Sequence, residues 1–290
     1  MPDARPPTVR ARQLARELRE CRFAAGLTGE QAAAELGWSA AKLSRIETAR
    51  SGVTVADVKR LLGLFQISET QGDRLVDLAR SAQRRGWWES IASLPEDYRT
   101  YLGLEDEASF LRSFRLGPVN GLLQTEQYAR AIIRNVVPRL PPGEIEQAVE
   151  VRLKRQARLL GPNPLKIWTV LEESVIRRLI GGPEVAREQL AHLLTVCEMA
   201  NVTIQILPFT KGAHPSLGFR FNILSFHEDL LPDVVHIEEM TGDIFIENEK
   251  RAFRYMLAFE EIQQRALSEQ ESREFIAQAI DDIDELRAGQ

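Results

Sequence analysis

Residues 27–50 read LTGEQAAAELGWSAAKLSRIETAR, and this stretch decides the fold of the N-terminal part of the chain. Thr28 is a candidate N-cap for an alanine-rich helix, and Gly37 accepts the positive φ with which such helices often end. Ser39 then caps a second helix, which has Lys42 and Arg45 on one side and apolar residues on the other. A helix, a tight glycine turn and a basic second helix make a helix-turn-helix, which places its second helix in the major groove of DNA.

Three more helices are predicted around this pair. Residues 10–25 form an amphipathic helix before it, residues 55–65 carry an apolar helical stripe after it, and residues 68–85 form a fifth helix. This five-helix order resembles the lambda-type (XRE) repressor family. The positions that match the family are Leu27, Ala32, Ala33, Leu36, Gly37, Leu43, Ile46 and Glu47. The resemblance implies a DNA-binding domain over residues 1–85, in which Glu47 has a structural role.

The same resemblance indicates which side chains meet DNA. Ala40, Ala41, Ser44 and Arg45 match the family positions that face base edges. Arg45 is able to grip a guanine through two hydrogen bonds, which is worth roughly 1–3 kcal/mol of discrimination. Lys42 and Arg50 are better placed for phosphate. The full set of candidate DNA-binding residues is Thr28, Ser39, Ala40, Ala41, Lys42, Ser44, Arg45 and Arg50.

Two positions depart from the family pattern. Gly29 stands where a glutamine is common near the start of the first helix of the pair, so one phosphate contact is missing. Ala49 stands where a glycine commonly ends the recognition helix. Gly52 is therefore expected to take over the turn, which also affects the path of Arg50.

The charge distribution supports DNA binding by the first domain alone. Residues 1–85 contain 15 Lys and Arg against 10 Asp and Glu, a net charge of +5. The other residues contain 22 basic and 32 acidic side chains, a net charge of −10. A basic domain on an acidic body is a localised electrostatic footprint for DNA.

The rest of the chain, residues 86–290, resembles a regulator domain of actinobacteria, the domain of unknown function 5753, also described as a Scr1-type antitoxin-like domain. The segments that match are Gly86–Trp88, Tyr101–Glu105, Glu107–Ala108, Pro118–Ala129, Leu207–Phe209, Gly218–Phe219 and Phe221–Phe226. The resemblance implies a domain for dimerisation and for sensing a ligand or partner. It also implies an antitoxin-like alternative, in which a short protein encoded next door is bound and neutralised.

Physical patterns in residues 86–290 predict an α+β domain, with helices around a small antiparallel sheet. Alternating apolar and polar residues predict strands at 166–171, 202–206, 219–223 and 235–237. Helices are expected over 125–135, 183–200, 249–267 and 268–286. Another helix is expected to start at Pro142, with an apolar stripe that reaches Leu160. The fold class is therefore mainly α, with a second α+β domain.

Two features of this second domain allow more than one interpretation. The aromatic cluster of Trp87, Trp88, Tyr98 and Tyr101 is typical of a seam between domains, and a ligand or partner pocket is the sharper alternative. His214 lies in the loop segment KGAHPSLG, where an isolated histidine is usually polar and exposed, although loops also carry function.

The adjacent acid pairs at 172–173 and 238–239 favour solvated strand ends over acid–base chemistry.

The sequence shows none of the common catalytic or metal-binding motifs. The sequence has no GxSxG, HExxH, CxxC or GxxxxGK[ST] pattern, so we expect no enzymatic activity, no cofactor and no metal. Cys21 and Cys197 are expected to be buried thiols in a reducing cytoplasm. No apolar run reaches the length of about 18 residues that a membrane span needs. The predicted function is a cytoplasmic, dimeric transcriptional regulator that reads an inverted-repeat operator in double-stranded DNA.

Overall fold

The computed structural model describes residues 8–83, 86–91, 93–136, 141–227, 232–239 and 241–288. Its helices are α1 (Val9–Ala24), α2 (Gly29–Glu35), α3 (Ala40–Glu47), α4 (Val55–Leu64), α5 (Glu69–Ala82), α6 (Glu96–Glu107), α7 (Glu126–Val136), α8 (Pro142–Arg155), α9 (Glu173–Arg177), α10 (Pro183–Val196), α11 (Glu249–Arg265) and α12 (Glu269–Ala288). Its strands are β1 (Phe110–Arg115), β2 (Lys166–Glu172), β3 (Val202–Leu207), β4 (Phe221–Ser225), β5 (Val234–Glu238) and β6 (Asp243–Ile246). No helix among these residues is both long and apolar enough to cross a membrane.

The chain divides into two compact units, with the main division between Glu107 and Ala108. The first unit therefore contains α6 as well as the five predicted helices, whereas the sequence placed the domain boundary after residue 85. Residues 84 and 85 lie outside the described residues. The predicted class, helical and α+β, is confirmed.

Side-chain caps start four helices of the first unit. Thr8, Thr28, Ser39 and Thr54 each accept a hydrogen bond from the backbone N–H three residues later, which satisfies one of the free donors at a helix start. At Thr28 the cap is reciprocal, since the Gln31 side chain accepts from the backbone N–H of Thr28 at 2.9 Å. The two caps that the sequence predicted at Thr28 and Ser39 are therefore present.

Left-handed residues end these helices. Gly37 has a φ of +65° after α2, and Ala49 has a φ of +53° after α3. Beyond Ala49, the backbone N–H of Arg50 donates to the carbonyl of Arg45 at 2.8 Å, which closes a Schellman motif. The expectation that Gly52 takes over this turn is wrong, because Ala49 itself adopts the strained conformation.

Replacing Ala49 by glycine should raise the free energy of unfolding by about 1 kcal/mol, because a left-handed residue with a Cβ costs roughly 1–2 kcal/mol. Urea denaturation followed by circular dichroism measures the change. Ala41→Gly is the matched control, since Ala41 lies inside α3 and glycine there should lower the stability by about 1 kcal/mol. If both glycines destabilise the protein, strain at Ala49 is not significant.

The core of the first unit joins all five predicted helices. Leu14 and Leu18 of α1 pack with Leu43 of α3, Leu61 of α4 and Leu75 of α5, and each is at most 1% exposed. These positions recur at the three- and four-residue spacing of one helix side, which is the pattern that the sequence showed. The core fixes α3 in place with its polar side outward.

A buried ion pair also ties α3 to α1. The guanidinium of Arg22 donates to both carboxylate oxygens of Glu47, at 2.7 and 2.8 Å, and the two side chains are 7% and 8% exposed. Arg22 donates a third bond, at 2.8 Å, to the carbonyl of Leu27 in the loop before α2. The hydrogen bonds that Arg22 donates to Glu47 raise the pKa of Arg22, although burial alone would lower it. The structural role predicted for Glu47 therefore agrees with its contacts.

The second unit is built on a six-stranded sheet in the order β3-β2-β1-β4-β5-β6. Strands β1, β2 and β3 run parallel, and β4, β5 and β6 extend the sheet antiparallel. The sheet is therefore mixed, and the expected purely antiparallel arrangement is wrong. One reason is that β1 was not predicted. The other is that α7 and α8 connect β1 to β2, and α9 and α10 connect β2 to β3, and such helical crossovers join parallel strands.

The two faces of this sheet differ in chemistry. On one face, Phe114, Phe221 and Val235 pack with Phe259 and Ile262 of α11, and all five are nearly or fully buried. Because side chains alternate along a strand, the residues next to them point to the other face. The buried polar side chains of that second face include Ser113, Arg115, Asn222 and His236.

Two predicted apolar positions of the second unit are exposed instead. Phe219 lies before β4 and is 68% exposed, and Leu160 lies after α8 and is 64% exposed. The apolar periodicity led us to predict a β4 strand and an α8 helix that are too long. Turns at Ser216–Phe219 and Ala157–Leu160 lie where the prediction continued these two elements. The two cysteines are buried as predicted, and burial raises the pKa of both thiols.

Candidate nucleic-acid interface

The outer side of α3 presents the residues that the sequence assigned to base edges. Ala40, Ala41, Ser44 and Arg45 are all exposed, while the apolar residues of α3 are buried on the opposite side. The helix is eight residues long and begins at the cap of Ser39. An exposed N-terminal half with small side chains allows close approach to the edges of base pairs.

The cap hydroxyls of Thr28 and Ser39 use their oxygens within the protein. Ser39 Oγ accepts from the backbone N–H of Lys42 at 3.2 Å, and Thr28 Oγ1 accepts from that of Gln31 at 3.2 Å. Each hydroxyl keeps its own hydrogen to donate. Both groups are therefore suited to phosphate oxygens rather than to reading bases.

Lys42 is held by a cluster that the sequence analysis missed. Its ammonium lies 3.1 Å from a carboxylate oxygen of Asp57 and 3.8 Å from the ring centroid of Trp38. Arg60 also lies over the Trp38 ring and donates to the carbonyl of Leu36 at 2.6 Å. The Lys42–Asp57 ion pair thus links α3 to α4. A DNA phosphate, the predicted partner of Lys42, has to compete with Asp57 for the ammonium group. The available signal was Trp38, an aromatic residue in the turn, four residues before Lys42.

Arg45 and Arg50 are the basic side chains of this region with the fewest internal constraints. Both are exposed, and neither forms an ion pair with a residue that the structure describes. Arg45 lies in the last turn of α3, and the Schellman motif at Ala49 places Arg50 directly after the helix. These guanidinium groups are therefore the ones best able to meet DNA.

The four aromatic residues after the predicted boundary form two pairs in the first unit. Trp87 and Trp88 pack edge to face with 5.7 Å between ring centroids, and Tyr98 and Tyr101 stack at 6.5 Å. Trp88 and Tyr101 are buried, and the Tyr101 hydroxyl donates to the carboxylate of Glu105 at 2.8 Å. These contacts favour a packing role over an open ligand pocket.

His214 is buried, and the expectation of an exposed loop histidine is wrong. Its side chain is 3% exposed and packs edge-on against Phe114, with 5.2 Å between ring centroids. Nε2 lies 3.7 Å from a carboxylate oxygen of Glu172, and neither ring nitrogen has a hydrogen-bond partner among the described residues. The loop turns inward onto β1, a strand that the sequence did not reveal.

The first acid pair is also less solvated than predicted. The side chains of Glu172 and Glu173 are 17% and 15% exposed. Glu172 accepts from the Ser174 hydroxyl at 2.6 Å, and Glu173 accepts from the backbone N–H of Phe209 at 3.0 Å. These carboxylates anchor neighbouring loops. Within the described ranges, no three His, Cys, Asp or Glu side chains come together as metal ligands would.

A capped helix pair, a left-handed glycine turn and an exposed second helix on a buried core define a helix-turn-helix DNA-binding module. The comparison with protein families agrees, since residues 13–75 match the model of a helix-turn-helix domain. Residues 98–278, more than half of the chain, match the domain of unknown function DUF5753, and the protein belongs to that family. No curated protein and no solved structure gives a match.

Proposed function

We propose that this DNA-binding regulator is a sequence-specific transcription factor that binds an inverted-repeat operator as a dimer. The observation that carries the proposal is the outer side of α3, where Arg45 stands exposed beside the small side chains of Ala41 and Ser44. A guanidinium in this place matches the two acceptors of guanine in the major groove. Thr28, Ser39, Lys42 and Arg50 then supply contacts to the DNA backbone.

The proposal assigns dimerisation to the second unit, because one helix-turn-helix covers only one half-site. Phe253 and Leu257 lie four residues apart on α11 and are 61% and 48% exposed. Residues at this spacing share one side of a helix, and the opposite side of α11 packs on the sheet. We assign this apolar pair to contact with a second copy of the chain.

An antitoxin-like activity is the second candidate function, and a different surface favours it. The segment from Phe209 to Phe219 joins β3 to β4 and exposes three large apolar side chains, at 57% for Phe209, 61% for Leu217 and 68% for Phe219. Exposed apolar residues grouped in this way are typical of protein-binding surfaces. If this segment binds a small partner protein, Phe219→Glu abolishes that binding without weakening the affinity for DNA.

Replacing Arg45 by alanine should relax discrimination at one operator position by about 1–3 kcal/mol, since the guanine there loses its two hydrogen bonds. Arg50→Ala is the matched control. It removes an equally exposed guanidinium, should weaken binding to all sequences about equally and should reduce the salt slope by about one. Gel shifts against operator variants at several salt concentrations measure both effects. Unchanged discrimination in Arg45→Ala would contradict the proposed register of α3.

A further inference from the structure

The polar face of the sheet carries a chain of buried hydrogen bonds across β1, β4 and β5. Arg115 of β1 donates to Ser113 at 3.0 Å and, from Nη2, to the amide oxygen of Asn222 at 3.0 Å. The amide nitrogen of Asn222 then faces Nδ1 of His236 at 3.1 Å, and Nε2 of His236 lies 3.1 Å from Asp243. Because each group fixes the next, the Arg115 guanidinium is held in one orientation.

At the Arg115 end of this series of hydrogen bonds, arginines outnumber acidic residues. Glu238 Oε2 lies 3.8 Å from Nη1 of Arg115 and 3.7 Å from Nε of Arg220, so both guanidinium groups face one carboxylate. Both distances exceed that of a hydrogen bond. By comparison, Arg187 of the second unit lies 2.7 Å from Asp284. Glu238 therefore neutralises this cluster incompletely.

Arg152 of α8 adds a third positive charge. Among the described residues its guanidinium donates to a neutral group, the Gln124 amide oxygen, at 3.0 Å. Burial alone would raise the pKa of Glu238, but the fields of Arg115, Arg220 and Arg152 hold it below the usual range. Glu238 is therefore ionised at neutral pH, and the cluster of three arginines and one glutamate keeps an excess of positive charge.

Two buried donors of this cluster are unused. Nε of Arg152 and Nε of Arg220 are shielded from solvent and have no hydrogen-bond partner among the described residues. A buried N–H of a charged group without an acceptor is costly, so such donors usually mark a place for another acceptor. By contrast, the Arg115 side chain is 8% exposed while that of Glu238 is 50% exposed, so the cluster opens to solvent on the side of Glu238.

We propose that Arg115, Arg152 and Arg220 form a binding site for the carboxylate or phosphate group of a small anionic ligand, with Glu238 standing in for that group when the site is empty. The ligand oxygens accept from the unused donors of Arg152 and Arg220, and planar guanidinium groups match carboxylate and phosphate oxygens well. Glu238 swings toward solvent as the anion enters. This assignment stands on the second unit alone and does not depend on the proposed operator binding.

Isothermal titration calorimetry of the full chain tests the site in the absence of DNA. The probes are inorganic phosphate and acetate, each titrated at constant ionic strength with chloride as the balancing anion. At least one probe should bind saturably, and the stronger one identifies the ligand group as phosphate or carboxylate. Arg220→Gln and Arg152→Gln should each weaken that binding at least tenfold. Glu238→Gln should strengthen it several-fold, because the competing carboxylate is removed.

Arg187→Gln is the matched control, since Arg187 is a partly exposed arginine of the same unit with its own acid. Its binding should equal that of the unchanged protein, and circular dichroism should show that all four variants fold. A merely structural role for Glu238 predicts weaker binding in Glu238→Gln, and that result would overturn the proposal. So would the lack of saturable binding, or an equal loss in Arg187→Gln. Operator binding is measured separately, so failure here leaves the proposed DNA function intact.

Discussion

Replacing Glu47 by alanine should lower the free energy of unfolding of the first unit by about 3–5 kcal/mol. The change removes the bidentate carboxylate acceptor of the Arg22 guanidinium, which is only 7% exposed. An unpaired buried charge is among the most destabilising defects in a protein. Urea denaturation followed by the far-ultraviolet circular dichroism of the helices measures the loss. Operator binding should fall with it, since the same ion pair holds α3 against α1.

Asp77→Ala provides the control for this prediction. Asp77 pairs with Arg80 at 2.8 Å, but both side chains are more than 60% exposed, so the pair contributes little. A second variant, Arg22→Met with Glu47→Leu, removes both charges and should recover most of the lost stability. If Glu47→Ala costs no more than Asp77→Ala, the Arg22–Glu47 pair does not hold the recognition helix.

Replacing both Phe253 and Leu257 by glutamate should weaken operator binding by about 10²–10⁴-fold, with the monomer as the species that remains. Two linked half-site contacts gain this factor from effective concentration alone, and it is lost when the dimer separates. Acidic side chains placed opposite each other across a two-fold interface repel and must be desolvated. Light scattering gives the molar mass, and gel shifts with whole and half operators give the affinity.

Phe219→Glu is the control for the dimer, because it places a glutamate at a similarly exposed aromatic position of the second unit. It should leave the dimer and the affinity for the whole operator unchanged. The affinity of the double variant for a half operator should match that of the unchanged protein. A double variant that stays dimeric would place the interface elsewhere, and a monomer with full operator affinity would refute the dimeric mode of binding.

The helix-turn-helix could be predicted because its signals are local. Thr28, Gly37 and Ser39 act within a few residues of themselves, and the buried positions of α1, α3 and α4 repeat at helical spacing. The cluster around Trp38 could not be predicted in the same way. It depends on Asp57, which approaches Lys42, and on Arg60, which approaches Trp38, and both do so only after α4 has packed in place.

The second unit was harder to predict because its order depends on distant partners. Strand β1 contains Arg112, Ser113 and Arg115, so its apolar alternation is broken. Without β1 the parallel strands have no connection to the antiparallel strands of the sheet. The same gap explains the error at His214, whose ring is buried against Phe114 of that strand. The polar cluster around Glu238 combines β1, β4, β5 and α8, and no single stretch of sequence carries its signal.

The place of β1 in the sheet also sets an order of events during synthesis. The main core cluster of α1 to α5 extends only from Leu14 to Ala79, and contacts within so short a stretch of chain form quickly. Strand β1 instead pairs with β4, and the backbone N–H of Ser109 must wait for the carbonyl of Ser225. The helix-turn-helix is therefore able to fold on the ribosome while β1 still lacks β4 as its second neighbour. A polypeptide released from the ribosome before β4 is synthesised would retain a folded helix-turn-helix domain but lack the complete sheet.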